Sequence, residues 1–245
     1  MAEQGRYTLG IGAGVLYYPD YIGAKSMQTL ALPFPYIRYK SENFSIDEDG
    51  VRSRLFGING LRLDMSLSGS LPASQSKNTP REGMPALELT GEVGPKLLYE
   101  FYAHGKAILE FECDARAALS TNYSSISYRG YLINPQLKYS LNYKRIEWTI
   151  RAGVLFNDAV YNNYYYGVSS EYITPLRKGY EAQGGYSGTR FRVGTTYMAK
   201  KWWLGGFVSY HDINSAVFQD SPLVEVKNGL YVGASIAYLF YTNEL

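Results

Sequence analysis

The amino-acid sequence predicts an all-β protein, a transmembrane antiparallel up-and-down β-barrel of about twelve strands, with ten as the alternative count. Three observations predict it. First, apolar and polar residues alternate over runs of about fifteen residues, where ordinary strands are about five or six long. The clearest run sets Leu87, Leu89, Val93, Leu97, Tyr99 and Phe101 against Glu88, Thr90, Glu92, Lys96 and Glu100. Second, Asn228 to Phe240 carries Leu230, Val232, Ala234, Ile236, Tyr238 and Phe240 on one apolar face, ending in two aromatics one pleat apart. That is the pattern of a strand leaving lipid at its boundary. It is the barrel-closing strand, because hydrocarbon tolerates no unpaired backbone edge and the sheet must therefore close. Third, the 245 residues include 25 Tyr and 25 Gly but only 10 Pro and one Cys, a composition that suits a tyrosine-girdled barrel.

Composition also excludes. No apolar run reaches the 18 or so residues of a helical span, which leaves strands of roughly 9 to 11 residues as the way across. The mean hydropathy of -0.23 is uninformative for alternating strands. A net charge of +2 predicts no nucleic-acid partner. Cys113 has no second cysteine to pair with. No signal peptide is visible. Met1-Ala2-Glu3 reads as a start placed before a mature sequence, and the native precursor is expected to carry one and to be delivered to the bacterial outer membrane.

In chain order, one domain spans 1–245. The first strand, 7–17, alternates Tyr7, Leu9, Ile11, Ala13, Val15 and Tyr17 with Thr8 and three glycines. The second, 28–40, presents Leu30, Leu32, Phe34 and Tyr36 as its apolar face, with Pro33 and Pro35 on the other parity predicting irregular pairing. Strands 43–49 and 51–57 flank Asp49-Gly50, a strong hairpin signal. Leu61, Leu63, Met65 and Leu67 define 60–71, and a polar loop follows from Pro72 to Pro85. Strands 86–103 and 105–121 turn at His104-Gly105, and 126–143 and 145–158 turn at Lys144-Arg145. Asp158 to Gly188 is the longest interruption, rich in tyrosine. Strands 188–200 and 202–213 turn at Lys200-Lys201, and a second long loop, Ile213 to Lys227, precedes 229–240. Short turns fall at Ser41, Gly57, His104, Lys144 and Lys200, and long connections near Pro19, Ser74, Tyr161 and Ser215. With both termini in the periplasm, the short turns lie there and the long loops lie outside.

Inward parity collects the charges into a lumen network. Glu88, Glu92, Glu100, Glu110, Glu112, Asp114 and Arg116 come from two adjacent strands, and Lys138, Arg151, Arg190 and Arg192 from strands further round. About twelve strands enclose a lumen only slightly wider than side chains can fill, so salt bridges across it are expected, leaving a narrow or closed pore. This pattern serves a structural ion network or a small-solute channel. His104 sits at a turn. His211 points inward near the outer rim, close to Ser209, Asp212 and Ser215, but Ser209 and His211 share the inward parity whereas a barrel lipase would turn its active side chains toward lipid, and no metal-site spacing or dinucleotide fingerprint occurs. No enzyme activity and no cofactor are expected. The loop tyrosines serve either as packing or as exposed contacts for a protein partner.

Asn163-Tyr164-Tyr165-Tyr166-Gly167-Val168-Ser169 with Glu171, then Gly179-Tyr180, then Asp220-Ser221-Pro222-Leu223-Val224 before the final strand, resemble the MltA-interacting protein/OmpV family of outer-membrane proteins. Gly10, Gly12 and Gly14 followed by Pro19-Asp20-Tyr21 resemble its opening. The chain departs from the pattern at Tyr172 and Ile173, where small residues are expected, and in the tail Tyr241 to Leu245. The resemblance implies a barrel embedded in membrane lipid and lipopolysaccharide that scaffolds peptidoglycan machinery, holding a lytic transglycosylase near a bifunctional murein synthase. Other members look like adhesins or solute-binding proteins, which leaves a surface adhesin using the outer loops as an alternative beside the channel.

Overall fold

A computed structural model describes residues 5–47, 50–70 and 79–243. Met1-Ala2-Glu3, Asp49 of the hairpin turn, the first half of the loop from Pro72 to Pro85, and Glu244 and Leu245 of the tail lie outside the described residues. The strands are β1 (Arg6–Pro19), β2 (Met27–Lys40), β3 (Phe44–Asp47), β4 (Gly50–Ile58), β5 (Leu61–Ser70), β6 (Leu89–His104), β7 (Ala107–Thr121), β8 (Ile126–Tyr143), β9 (Ile146–Asn157), β10 (Gly185–Met198), β11 (Trp202–Asp212) and β12 (Asn228–Thr242). Each pairs antiparallel with its sequence neighbours, and β12 closes the barrel on β1 from Thr8↔Thr242 to Tyr17↔Val232. The count is therefore twelve.

Alternation sorts the side chains. Ile11, Leu137, Ile236 and Phe240 stand outward and exposed, while Thr90, Glu112, Asn134 and Ala237 on the opposite parity are buried. So continuous an apolar exterior is an aggregation surface in water and a natural lipid face in a membrane. Aromatics rim it at both ends, with Tyr17, Tyr131, Phe156 and Tyr210 at one and Phe101, Trp148, Trp202 and Tyr238 at the other. The second end holds both termini and the short turns at 41–43, 59–60, 105–106, 144–145 and 199–201, which makes it the periplasmic end. Long connections 20–26, 158–184 and 213–227 lie outside, as do the described part of the connection after β5, 79–88, and the short 122–125.

Three expectations are corrected. The inner and outer faces of β2 are exchanged: Leu30, Leu32, Phe34 and Tyr36 lie opposite Leu16, Gly14, Gly12 and Gly10 and share their inward face, whereas Pro33 and Pro35 pair with the outward Ala13 and Ile11. Both parities of β2 are apolar, so alternation alone did not distinguish them. The β1–β2 ladder also runs without a register shift past both prolines; the irregular pairing is on the other edge of β2, which meets β3 only at Tyr39↔Ile46 and Lys40↔Ser45. Finally, Leu87 precedes its strand and is buried among the outer loops.

Candidate functional site: a capped lumen and its periplasmic vestibule

At the outer mouth four loops fold together. The 158–184 loop begins with α1 (Ala159–Tyr166), a helix hidden among the tyrosines. Its signal was Asp158, whose side chain caps it by accepting from the Tyr161 N–H at 2.8 Å and also accepts from the Tyr131 N–H at 3.1 Å. Gly130, at φ +96°, lets the chain pass this cap, since a Cβ there would stand 2.1 Å from Asp158 Oδ1. The helix delivers Tyr166 face to face with Phe218, with centroids 3.7 Å apart, and Tyr21, Leu87, Ala182, Ile213 and Ala216 complete a buried cluster.

The family-motif residues build this cap. Val168 and Tyr180 exchange backbone hydrogen bonds at 2.8 and 3.1 Å, and Val168 packs with Leu223 and Met84. Ser221 Oγ donates to Tyr166 O at 2.7 Å. Gly167 is required because a Cβ would meet Asn163 O at 2.6 Å. Pro222 is partly buried beside them and Asp220 is exposed. Arg177 ties two loops by donating to Pro80 O and Glu82 O, and Arg81 donates to Tyr165 O at 2.8 Å. Burial holds the Tyr166 and Tyr21 hydroxyls well above the ordinary phenol range, so both remain donors, Tyr166 to Ile22 O and Tyr21 to Leu223 O. Tyr164 is the face on which the Arg129 guanidinium rests, at 4.5 Å, and Tyr165 packs against the buried cluster. None of the tyrosines from 161 to 186 is fully exposed.

Beneath the cap, one wall is charged. Glu112, wholly buried on β7, accepts from Lys96 Nζ at 2.9 Å and Gln136 Nε2 at 2.8 Å, with Lys138 and Arg151 each 3.8 Å away. Asp114 pairs with Arg116 at 2.7 Å, and Arg116 reaches Glu92 at 3.7 Å. Glu110 lies between Arg62 at 3.0 Å and Lys138 at 3.8 Å. Arg190 donates to Gln136 at 3.3 Å, and Arg192 stacks over Phe207 at 4.0 Å. Asp114 and Arg116 share β7, and the other pairs named here join strands one or two apart along the β5–β10 wall. Glu88 sits at the outer edge with Ser120 and Arg129, and Ser120's hydrogen bond foremost, then Arg129, holds its carboxyl below the usual range. Glu100 is exposed near the periplasmic rim, beside a bulge and directly opposite Glu110 in the β6–β7 ladder.

The other wall is apolar and thin. Tyr36 packs on Trp203 with centroids 5.1 Å apart, joined by Phe34, Ala237 and Leu239, and the glycines of β1, β11 and β12 supply no side chains to fill the space. Between the two walls a cavity of about 840 Å3 runs from mid-barrel towards the periplasmic end. His211 is buried near the cap with Ser209 Oγ 3.2 Å from Nε2, but its Nδ1 has no partner among the described residues, so the orienting acid of a catalytic triad is missing. His104 is exposed at its turn, and no group of three His, Cys, Asp or Glu side chains among the described residues is arranged to hold a metal.

A closed twelve-stranded barrel with a lipid-facing exterior, outer loops folded over its mouth and short turns at the other end is a bacterial outer-membrane barrel protein. The sequence places it more narrowly. The chain belongs to the MltA-interacting protein MipA family, which matches residues 11–240. Similar relatives are outer membrane protein Omp26La of Vibrio anguillarum and outer membrane protein OmpV of Vibrio cholerae, each 27% identical over 82% of this chain and 76% of the relative. Among solved structures, an outer membrane channel from Pseudomonas putida F1 aligns with TM-score 0.48 at 12% identity, over 98% of this chain and 97% of that one. OmpT of Vibrio cholerae aligns with TM-score 0.41 at 10% identity, over 98% and 99%.

Proposed function

We propose that the barrel is a non-enzymatic outer-membrane anchor that gathers peptidoglycan enzymes at its periplasmic face, a lytic transglycosylase and a bifunctional murein synthase. The observation that carries this reading is the charge of that face. The five periplasmic turns hold Lys106, Lys144, Arg145, Lys200 and Lys201, all exposed, against the single acid Glu42. A cationic ring of this kind steers and holds an acidic partner without long loops, at the cost of salt sensitivity. The name of the family supports the choice of partner, and the cap supports the choice of side, because the loop tyrosines that an adhesin would display are turned into packing. The cap also weighs against a permanently open channel.

The test is retention of a purified lytic transglycosylase on the refolded, immobilised barrel. Retention is expected in low salt and is expected to fall by about tenfold or more at about 0.5 M salt, or when the five cations are replaced by glutamate. Equal retention by the reversed variant, or no retention by the native ring, contradicts the reading.

A further inference from the structure

The wall of the barrel is not zipped uniformly. β2 is 14 residues long, yet it meets β3 only through Tyr39 and Lys40, so from Met27 to Arg38 its second edge has no strand partner among the described residues. Backbone groups of a strand point alternately to its two edges, and those of Thr29, Ala31, Pro33, Pro35 and Ile37 point the same way as those of Tyr39, towards β3. Pro33 and Pro35 fit this: the ladder to β1 is continuous through them although neither can donate, so their nitrogens face the unzipped edge. Two of the donors that hydrocarbon would leave stranded are thereby absent, and a strand adding from another protein would find two gaps in its ladder.

Behind the gap lies the vestibule. Leu32 is on the inward face yet 51% exposed, and it lines the cavity with Leu30, Phe34 and Tyr36. Further in, among the described residues the same cavity is lined by six Arg and Lys side chains, Arg38, Lys138, Arg151 and Arg192 among them, and by two acids, Asp47 and Glu147. At about 840 Å3 it has the size of a small-molecule site, which commonly spans about 300–1,000 Å3.

We propose that the β2–β3 gap is a lateral portal between the bilayer and the vestibule, and that the site takes a single-chain amphiphile whose acyl chain lies on Leu30, Leu32 and Phe34 and whose anionic head, a carboxylate or phosphate, meets Arg38 and Arg192. This goes beyond the anchor role and does not depend on it.

Two measurements test it on the refolded full chain in phosphatidylcholine nanodiscs. A phosphatidylcholine with a photoactivatable group at its tail end cannot leave the bilayer, so any label inside the barrel enters through the wall. Label is expected on the inward Leu30, Leu32 and Phe34 as well as on outward positions such as Leu137; label confined to outward residues overturns the portal. Saturable binding of cis-parinaric acid is expected, displaced by palmitate or by a monoacylglycerol phosphate, with the stronger competitor identifying the natural head group. Hexadecanol and inorganic phosphate are expected to displace poorly. Arg38→Gln with Arg192→Gln is expected to weaken binding about tenfold. Absence of saturable binding, equal displacement by hexadecanol, or an unchanged affinity in the double variant overturns the site.

Discussion

Phe218→Ala is the perturbation that isolates the cap. Phe218 is 1% exposed, and its ring stacks on Tyr166 at 3.7 Å with an interplanar angle of 7°. Truncating a buried phenylalanine costs about 3–5 kcal/mol, part of it the lost ring pair at about 0.5–1.5 kcal/mol. The barrel ladders do not pass through this contact, so the cost falls on the equilibrium between closed and open cap. At about 1.4 kcal/mol per tenfold, that equilibrium shifts roughly a hundred- to several-thousandfold towards opening. Hydrogen exchange reads it directly. The Val168 and Tyr180 amides, bonded to each other's carbonyls, and the Ala182 amide, which donates to Asn163 Oδ1 at 2.8 Å, are expected to exchange faster by that factor. Amides in the β7–β8 ladder are expected to keep their protection. Unchanged exchange at all three cap amides, or an equal loss across cap and strands, refutes the reasoning that the loops form one buried unit seated on an independent barrel.

Glu112→Ala is expected to lower the unfolding free energy by about 3–5 kcal/mol, because Lys96, Lys138 and Arg151 lose their common carboxylate in a buried setting; urea unfolding in bilayers measures it. Glu88, whose folded pKa is lowered by Ser120 and Arg129, stabilises the fold above the ordinary glutamate range of about 4 and loses that contribution as the pH falls through the lowered value. The unfolding midpoint of the native chain is therefore expected to drop below about pH 4 more steeply than that of Glu88→Gln; parallel curves contradict the contact.

Much of the barrel was legible because lipid on one side and a polar lumen on the other force alternation into each strand. Ile133, Leu137 and Tyr139 against Asn134, Gln136 and Lys138 can be read no other way. β2 failed for the same reason, since Leu32 and Phe34 on one parity and Pro33 and Ile37 on the other are equally apolar. The inward charges could be collected from parity, but their partners depend on register: Lys96 stands opposite Asp114 and Glu112 opposite Gln136. α1 was hidden because its tyrosines carry little amphipathic pattern, although Asp158 offered a cap. The pairing of Tyr166 with Phe218 joins two loops far apart in sequence, and no local signal marks it.

The outer mouth is shut by its own loops, so the barrel passes no ions. Planar-bilayer recording on the refolded native chain tests it most directly. A silent membrane at both polarities is the predicted result. Regular, discrete conductance steps from the unmodified barrel contradict it.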